Sequence, residues 1–122
     1  MCKPARIVAV TDDDPLIGAR ALVFHDLQSS GHADPRGVSI LEDAVAARRW
    51  WVSEWPEGAD YVAGQIAQDV QDAMMDTVGR WPRCKACDDV EPHELRIAPE
   101  LGPDPHWVCD RGGIVVARLG GL

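Results

Sequence analysis

Three cysteines and one histidine in the last third of the chain have spacings that are typical of a metal site. Cys84 and Cys87 are separated by two residues, His93 follows after five more, and Cys109 follows after a further fifteen. Two thiolates at the first spacing can chelate one tetrahedral ion, because a tight turn directs both sulfurs to the same point. The sequence therefore predicts a structural zinc ion held by Cys84, Cys87, His93 and Cys109.

The fourth ligand is less constrained than the three cysteines. His93 is favoured, because a neutral imidazole is a good zinc donor. His106 is an alternative from a different part of the sequence, and the carboxylates of Asp88 and Asp110 offer oxygen ligands. The sequence by itself leaves these alternatives open.

Two other interpretations of the cysteine pair also stay open. Redox pairs of this spacing normally begin a helix that follows a strand, where the helix dipole lowers the thiol pKa, whereas Cys84 and Cys87 lie between a predicted helix and predicted strands. A catalytic zinc ion needs an open coordination position and a general base. Glu91 and Glu94 lie nearby, but not in the helical arrangement of a metalloprotease. The sequence contains no nucleophile elbow, phosphate-binding glycine loop or dinucleotide fingerprint.

Three short strands are predicted around the cysteines and histidine. Residues 94–98 alternate between polar and apolar side chains, residues 106–109 follow a turn rich in proline, and residues 114–119 are apolar and β-branched. A three-stranded sheet of this size buries too little surface to be stable alone, and a bound metal ion is a common remedy. The strands therefore support the metal prediction.

Four segments of this region carry a family resemblance. They are Trp81-Pro82-x-Cys84-x-x-Cys87, Pro92-His93-x-Leu95, Trp107-Val108-Cys109-x-x-Gly112 and Val116-Ala117-x-Leu119-Gly120. The pattern resembles a zinc ribbon with one degenerate knuckle, at the end of small uncharacterised proteins from actinobacteria and their phages. The resemblance covers about the last third of the chain. It implies a Cys/His metal site and no particular activity.

The part of the chain before the cysteines predicts an N-terminal arm or strand followed by about three helices. Residues 6–10 form a short β-branched run that suits a strand. The first helix is predicted over residues 16–30, with Asp14 as the N-cap and Pro15 at the first helical position. The acidic residues beside Asp14 are interpreted as capping residues, with a divalent-cation site as the alternative.

The second and third helices are predicted from capping and periodicity. Ser39-Ile40-Leu41-Glu42 matches a capping box, so the second helix is expected to run from there to Glu54, after a loop over residues 32–37. The third is expected to begin near Asp60, after a turn, and to end before Gly79. Apolar residues recur at helical spacing in all three segments, and short connections predict a small bundle.

Trp50, Trp51 and Trp55 cluster near the end of the second predicted helix. A helix cannot bury all three on one narrow apolar stripe. We expect them to pack the helices against the C-terminal module. A protein-binding patch is the alternative, since tryptophan is enriched at interface hot spots.

The formal net charge is −8, from 12 basic and 20 acidic residues. This balance disfavours sequence-independent binding to nucleic acid and favours a cationic partner. No apolar stretch reaches the length of a membrane span, and no secretion signal is recognisable, so a cytoplasmic location without membrane contact is predicted. In that compartment, closely spaced cysteines are metal or redox sites more often than disulfides. No role is predicted for Cys2.

Together these features predict an α+β protein. A helical region with an N-terminal arm or strand occupies residues 1–80, and a zinc-ribbon-like module of three antiparallel strands occupies residues 81–122, packed as one unit. The predicted function is that of a non-enzymatic, zinc-stabilised component that binds another protein or copies of itself, in a bacterial or phage assembly. The alternatives are a nucleic-acid-associated regulator of transcription or translation and a zinc- or thiol-dependent enzyme.

Overall fold

The computed structural model describes residues 14–88 and 90–122 of the chain. Three helices precede a three-stranded antiparallel sheet, which confirms the predicted α+β class. The predicted strand over residues 6–10, and Cys2, lie outside the described residues. Within the described part, none of the helices combines the length and the apolar character that crossing a membrane requires.

The first helix begins as its sequence predicts. The three helices are α1 (Pro15–Ser29), α2 (Pro35–Glu54) and α3 (Val62–Thr77). A 3-10 turn (Pro56–Tyr61) lies between α2 and α3. A carboxylate oxygen of Asp14 accepts a hydrogen bond of 2.9 Å from the Leu16 N–H at the start of α1. The N-cap prediction is thereby confirmed, since this bond satisfies one of the free amide groups of the first turn.

The second helix begins four residues before the predicted capping box, so the predicted start at Ser39 is wrong. Asp34 is the N-cap, and its carboxylate accepts a 2.8 Å hydrogen bond from the Gly37 N–H. Pro35 occupies the first helical position, where its fixed φ suits a helix and its missing N–H costs nothing. The Asp34-Pro35 pair therefore starts the helix earlier, while the predicted end at Glu54 is confirmed.

The three strands lie close to the predicted segments. They are β1 (Arg96–Ala98), β2 (His106–Cys109) and β3 (Ile114–Arg118), with β2 in the centre and both pairings antiparallel. Ile97 lies opposite Trp107, and Trp107 lies opposite Ala117, with an irregularity in the register after Trp107. The central strand therefore places Trp107 toward the helices and ends at Cys109.

The buried apolar residues of the helices and the sheet form one core. Trp81 and Trp107 lie within it, both almost fully buried, with ring centroids 5.5 Å apart in an edge-to-face arrangement. The Trp81 indole N–H donates a 2.8 Å hydrogen bond to the Ser30 hydroxyl at the end of α1. These two tryptophans thus join the sheet region to the helices.

The tryptophans of α2 pack elsewhere, so the expectation that they join the helices to the C-terminal module is wrong. The rings of Trp51 and Trp55 meet edge to face at 5.2 Å, and Trp55 lies 5.9 Å from the ring of Tyr61. Both indoles cover Gly58 of the 3-10 turn, where a Cβ atom would lie 2.5 Å from the Trp55 ring. Trp50 is 67% exposed.

Candidate metal centre

The four predicted ligands meet at one point beside the sheet. The ligand atoms of Cys84, Cys87, His93 and Cys109 all lie within 4.8 Å of one another. The sulfurs of Cys84 and Cys87 are 3.8 Å apart, and His93 Nε2 lies 3.4 Å from the sulfur of Cys87 and from that of Cys109. Donors around a tetrahedral zinc ion are separated by roughly 3.8 Å (sulfur to sulfur) and roughly 3.6 Å (sulfur to nitrogen). The cluster therefore fits such an ion.

Backbone pairing brings the sequence-distant ligands together. The Cys84 N–H donates to the His93 carbonyl at 2.9 Å, and the Leu95 N–H donates to the Pro82 carbonyl at 2.7 Å. These two bonds align the cysteine pair antiparallel to the chain that leads into β1. Cys109 reaches the same point from the end of β2, which is paired with β1.

His93 is oriented by a hydrogen bond from its other ring nitrogen. Nδ1 lies 2.8 Å from the Glu91 carbonyl oxygen, to which it can only donate. With the proton on Nδ1, the lone pair of Nε2 faces the three sulfurs, which is the arrangement of a metal-binding histidine. Cys109 also has a supporting partner, because the Gly112 N–H donates to its sulfur at 3.2 Å.

Gly112 also makes room for this site. A Cβ atom at this position would lie 2.8 Å from the Cβ atom of Cys87, closer than two such atoms approach in proteins. The absence of a side chain at Gly112 therefore lets the connection between β2 and β3 pass close to Cys87 and Cys109.

Hydrogen bonds within the cluster shift the pKa values of a thiol and of the imidazole in opposite directions. Burial raises the pKa of the Cys84 thiol, but hydrogen bonds from the backbone N–H groups of Ala86 and Cys87 and from neighbouring thiols outweigh this effect and lower the pKa to about 6. The bond to the Glu91 carbonyl, with the bond to Cys109, raises the pKa of His93 to about 9. The same environment that stabilises a thiolate is the one a cationic metal ion requires.

The other candidates for the fourth ligand lie outside this cluster. His106 Nδ1 is 2.8 Å from the Asp104 carbonyl oxygen. The Asp110 carboxylate accepts two hydrogen bonds of 3.0 Å from the Arg96 guanidinium, which lowers the pKa of Asp110. His93 is therefore the residue that the fold brings to the three cysteines, and Cys109 and His93 are both buried.

The sequence interpretation missed a buried carboxylate that ties α1 to the end of the chain. Asp26 is fully buried, and one of its oxygens accepts bonds from the Trp107 indole N–H at 2.8 Å and the Gly120 N–H at 2.7 Å. Its other oxygen accepts a 3.0 Å bond from the Leu122 N–H. One signal was present in the sequence, since Asp26 follows Val23 by three residues on the apolar stripe of α1.

The fold and the cluster define a small α+β protein with a Cys₃His site that could hold a metal ion, with zinc as the ion its donors suit. The chain belongs to the DUF8819 family, a domain of unknown function, whose model matches residues 12–119. The matched region includes both the helices and the sheet. No curated protein and no solved structure matches the chain.

Proposed function

We propose that the protein is a non-enzymatic binding or assembly component whose C-terminal sheet is stabilised by one zinc ion. The observation that carries the metal part is the closed set of four protein donors, Cys84, Cys87, His93 and Cys109, within 4.8 Å of one another. A tetrahedral ion with four protein ligands has no open position for water or substrate. This supports a structural ion that contributes folding energy over a catalytic one.

Native mass spectrometry with elemental analysis tests the metal part. We expect one zinc ion per chain in the wild type, none in Cys84→Ser or Cys109→Ser, and a weakened complex in His93→Ala, because each change removes one donor. Cys2→Ser and His106→Ala are the matched controls and should retain the full metal content. A folded, metal-free wild type with a Cys84–Cys87 disulfide would contradict the proposal and favour redox chemistry.

The binding part of the proposal concerns a groove between α2 and α3. Trp50 lines this groove and is the most exposed of the five tryptophans. The apolar residues that line the groove include Ile40, Ala44 and Ala73. The groove has a volume of about 480 Å³. An exposed indole beside an apolar groove is typical of a protein-binding surface.

Charge identifies the class of partner that suits this groove. Asp43 lines it, as does the ion pair of Arg48 with Asp69, and Asp72 and Asp76 are exposed elsewhere on α3. None of the carboxylates of Asp43, Asp72 and Asp76 has a basic partner in the part of the chain that the structure describes. We therefore propose that the groove binds an amphipathic segment with basic side chains from another protein.

A synthetic amphipathic helix of leucine and lysine is the probe for this groove. We expect it to bind with an affinity that falls as salt increases, and Trp50→Ala should weaken binding roughly tenfold or more, as a hot-spot change does. Ile17→Ala is the control, because Ile17 is 50% exposed on α1. Equal binding of the Trp50 variant, equal binding of a leucine–glutamate peptide, or a Trp50-dependent dimer without peptide would contradict the proposal.

A further inference from the structure

A second cavity differs from the groove beside Trp50 in its charge, because basic side chains line it. It has a volume of about 310 Å³ and lies between the end of α1, the cysteine pair and β3. Its apolar wall includes Pro82, Leu95 and Val116. This volume falls within the range of small-molecule sites, roughly 300–1,000 Å³.

The rim of this cavity is basic although the protein is acidic. Arg83 and Lys85 both line it, and neither forms an ion pair or a side-chain hydrogen bond within residues 14–88 and 90–122. Six of the eight other arginines that the structure describes have acidic partners, namely Arg20, Arg48, Arg80, Arg96, Arg111 and Arg118. With 20 acids for 12 bases, two cations at one cavity that have no acidic partner among the described residues are unexpected by composition.

An adjoining depression extends the basic surface. It has a volume of about 320 Å³, shares His32 and Arg83 with the first cavity, and adds Arg80, which also lies 4.0 Å from the Glu94 carboxylate. The helix ends nearby do not account for these charges. Ser30 and His32 donate hydrogen bonds to the carbonyl groups of Asp26 and Leu27 near the end of α1. Among the described residues, neither Arg83 nor Lys85 donates a hydrogen bond to a helix carbonyl.

We propose that this cavity binds a small amphiphilic anion, with an apolar or aromatic body in the cavity and an acidic head group at Arg83 and Lys85. The apolar wall supplies the contact area, and the two unpaired cations supply charge-assisted hydrogen bonds to a carboxylate, sulfonate or phosphate. Lys85 lies between Cys84 and Cys87, so the metal site and the cavity share one segment of chain. This site is distinct from the groove beside Trp50.

Two dyes with related aromatic bodies test the proposal on the zinc-loaded, full-length protein. 8-Anilinonaphthalene-1-sulfonate carries a negative charge, and N-phenyl-1-naphthylamine carries none. We expect the sulfonate to bind at one site per chain, measured by fluorescence titration and calorimetry, and to bind roughly tenfold or more tightly than the neutral dye. Decanoate should displace it, because decanoate combines an apolar chain with a carboxylate.

Variants separate this cavity from other apolar surfaces. Arg83→Gln with Lys85→Gln should weaken the sulfonate roughly tenfold and leave the neutral dye unchanged, since only charge contacts are removed. Val116→Phe should weaken both dyes by filling the cavity, and its melting temperature and zinc content confirm that it folds. Arg49→Gln, an exposed base on α2 outside the cavity, is the charge control.

Three results would overturn the proposal. The first is equal binding of the two dyes, which would show that charge makes no contribution. The second is unchanged affinity for the sulfonate in the double glutamine variant. The third is loss of the signal in Trp50→Ala, which would place the dye in the groove between α2 and α3.

Discussion

Replacing Cys109 by serine should abolish the cooperative folding of the C-terminal sheet. Cys109 is 1% exposed and ends the central strand, so its replacement removes one of the four proposed metal donors at a buried position. Structural zinc contributes on the order of 10 kcal/mol to folding in small domains, whereas a whole domain is stable by only about 5–15 kcal/mol. Strands of three, four and five residues cannot compensate for that loss.

Thermal unfolding followed by circular dichroism measures this effect. The wild type is expected to lose its main transition when a chelator removes the metal and to regain it when zinc is added back. Cys109→Ser should resemble the chelated wild type with or without zinc, while His106→Ala should melt like the untreated wild type. A Cys109→Ser protein that melts cooperatively within a few degrees of the wild type would refute a structural role for the metal.

Removing the buried carboxylate of Asp26 should have the second largest effect. Asp26→Ala leaves the indole N–H of Trp107 and the backbone N–H groups of Gly120 and Leu122 without their acceptor. A buried donor such as the Trp107 N–H costs about 1–3 kcal/mol when it is left unsatisfied, and the two part-buried backbone groups cost less, so the combined loss is expected to be about 3 kcal/mol of unfolding free energy. Chemical denaturation of the zinc-loaded protein measures it.

Two comparisons identify the cause of that loss. Asp26→Asn should cost less than Asp26→Ala, because an amide oxygen can still accept from Trp107 and Gly120 while its NH₂ group opposes the Leu122 N–H. Asp43→Ala, at an exposed acid without an ion pair in the described residues, should change stability by about 0.5 kcal/mol or less. Equal stability of Asp26→Ala and the wild type would show that the three donors find other partners.

The metal cluster could be predicted because its signal is local. The turn that joins Cys84 and Cys87 needs only two intervening residues, and residues 94–98, which follow His93, alternate between polar and apolar side chains. The choice of His93 over His106 was a preference in the sequence. The structure supports this preference, because Cys84 pairs with His93 through a backbone hydrogen bond. The types of the two residues do not predict that pairing.

The start of α2 and the roles of the tryptophans were predicted less well, for different reasons. Asp34-Pro35 and Ser39 are both suitable starts for α2, and they lie only a few residues apart. The helix begins at the first of them, which the sequence alone does not predict. All five tryptophans have the same apolar character, so composition cannot tell that Trp81 and Trp107 enter the core while Trp50 stays exposed. That division depends on tertiary packing, because α2, which carries Trp50, contacts the other helices and the 3-10 turn, whereas Trp107 lies on the central strand.

The sequence by itself therefore determined the α+β class, the approximate helices and strands, and the three cysteines of the cluster, with His93 as the preferred fourth residue. These follow from periodicity, capping and short-range spacing, which act over a few residues. Only the tertiary structure decided the burial of Asp26, the pairing of Trp81 with Trp107 and the basic cavity beside Arg83. The partners of Asp26 lie 81, 94 and 96 residues away along the chain, and such contacts exist only once helices and sheet have packed.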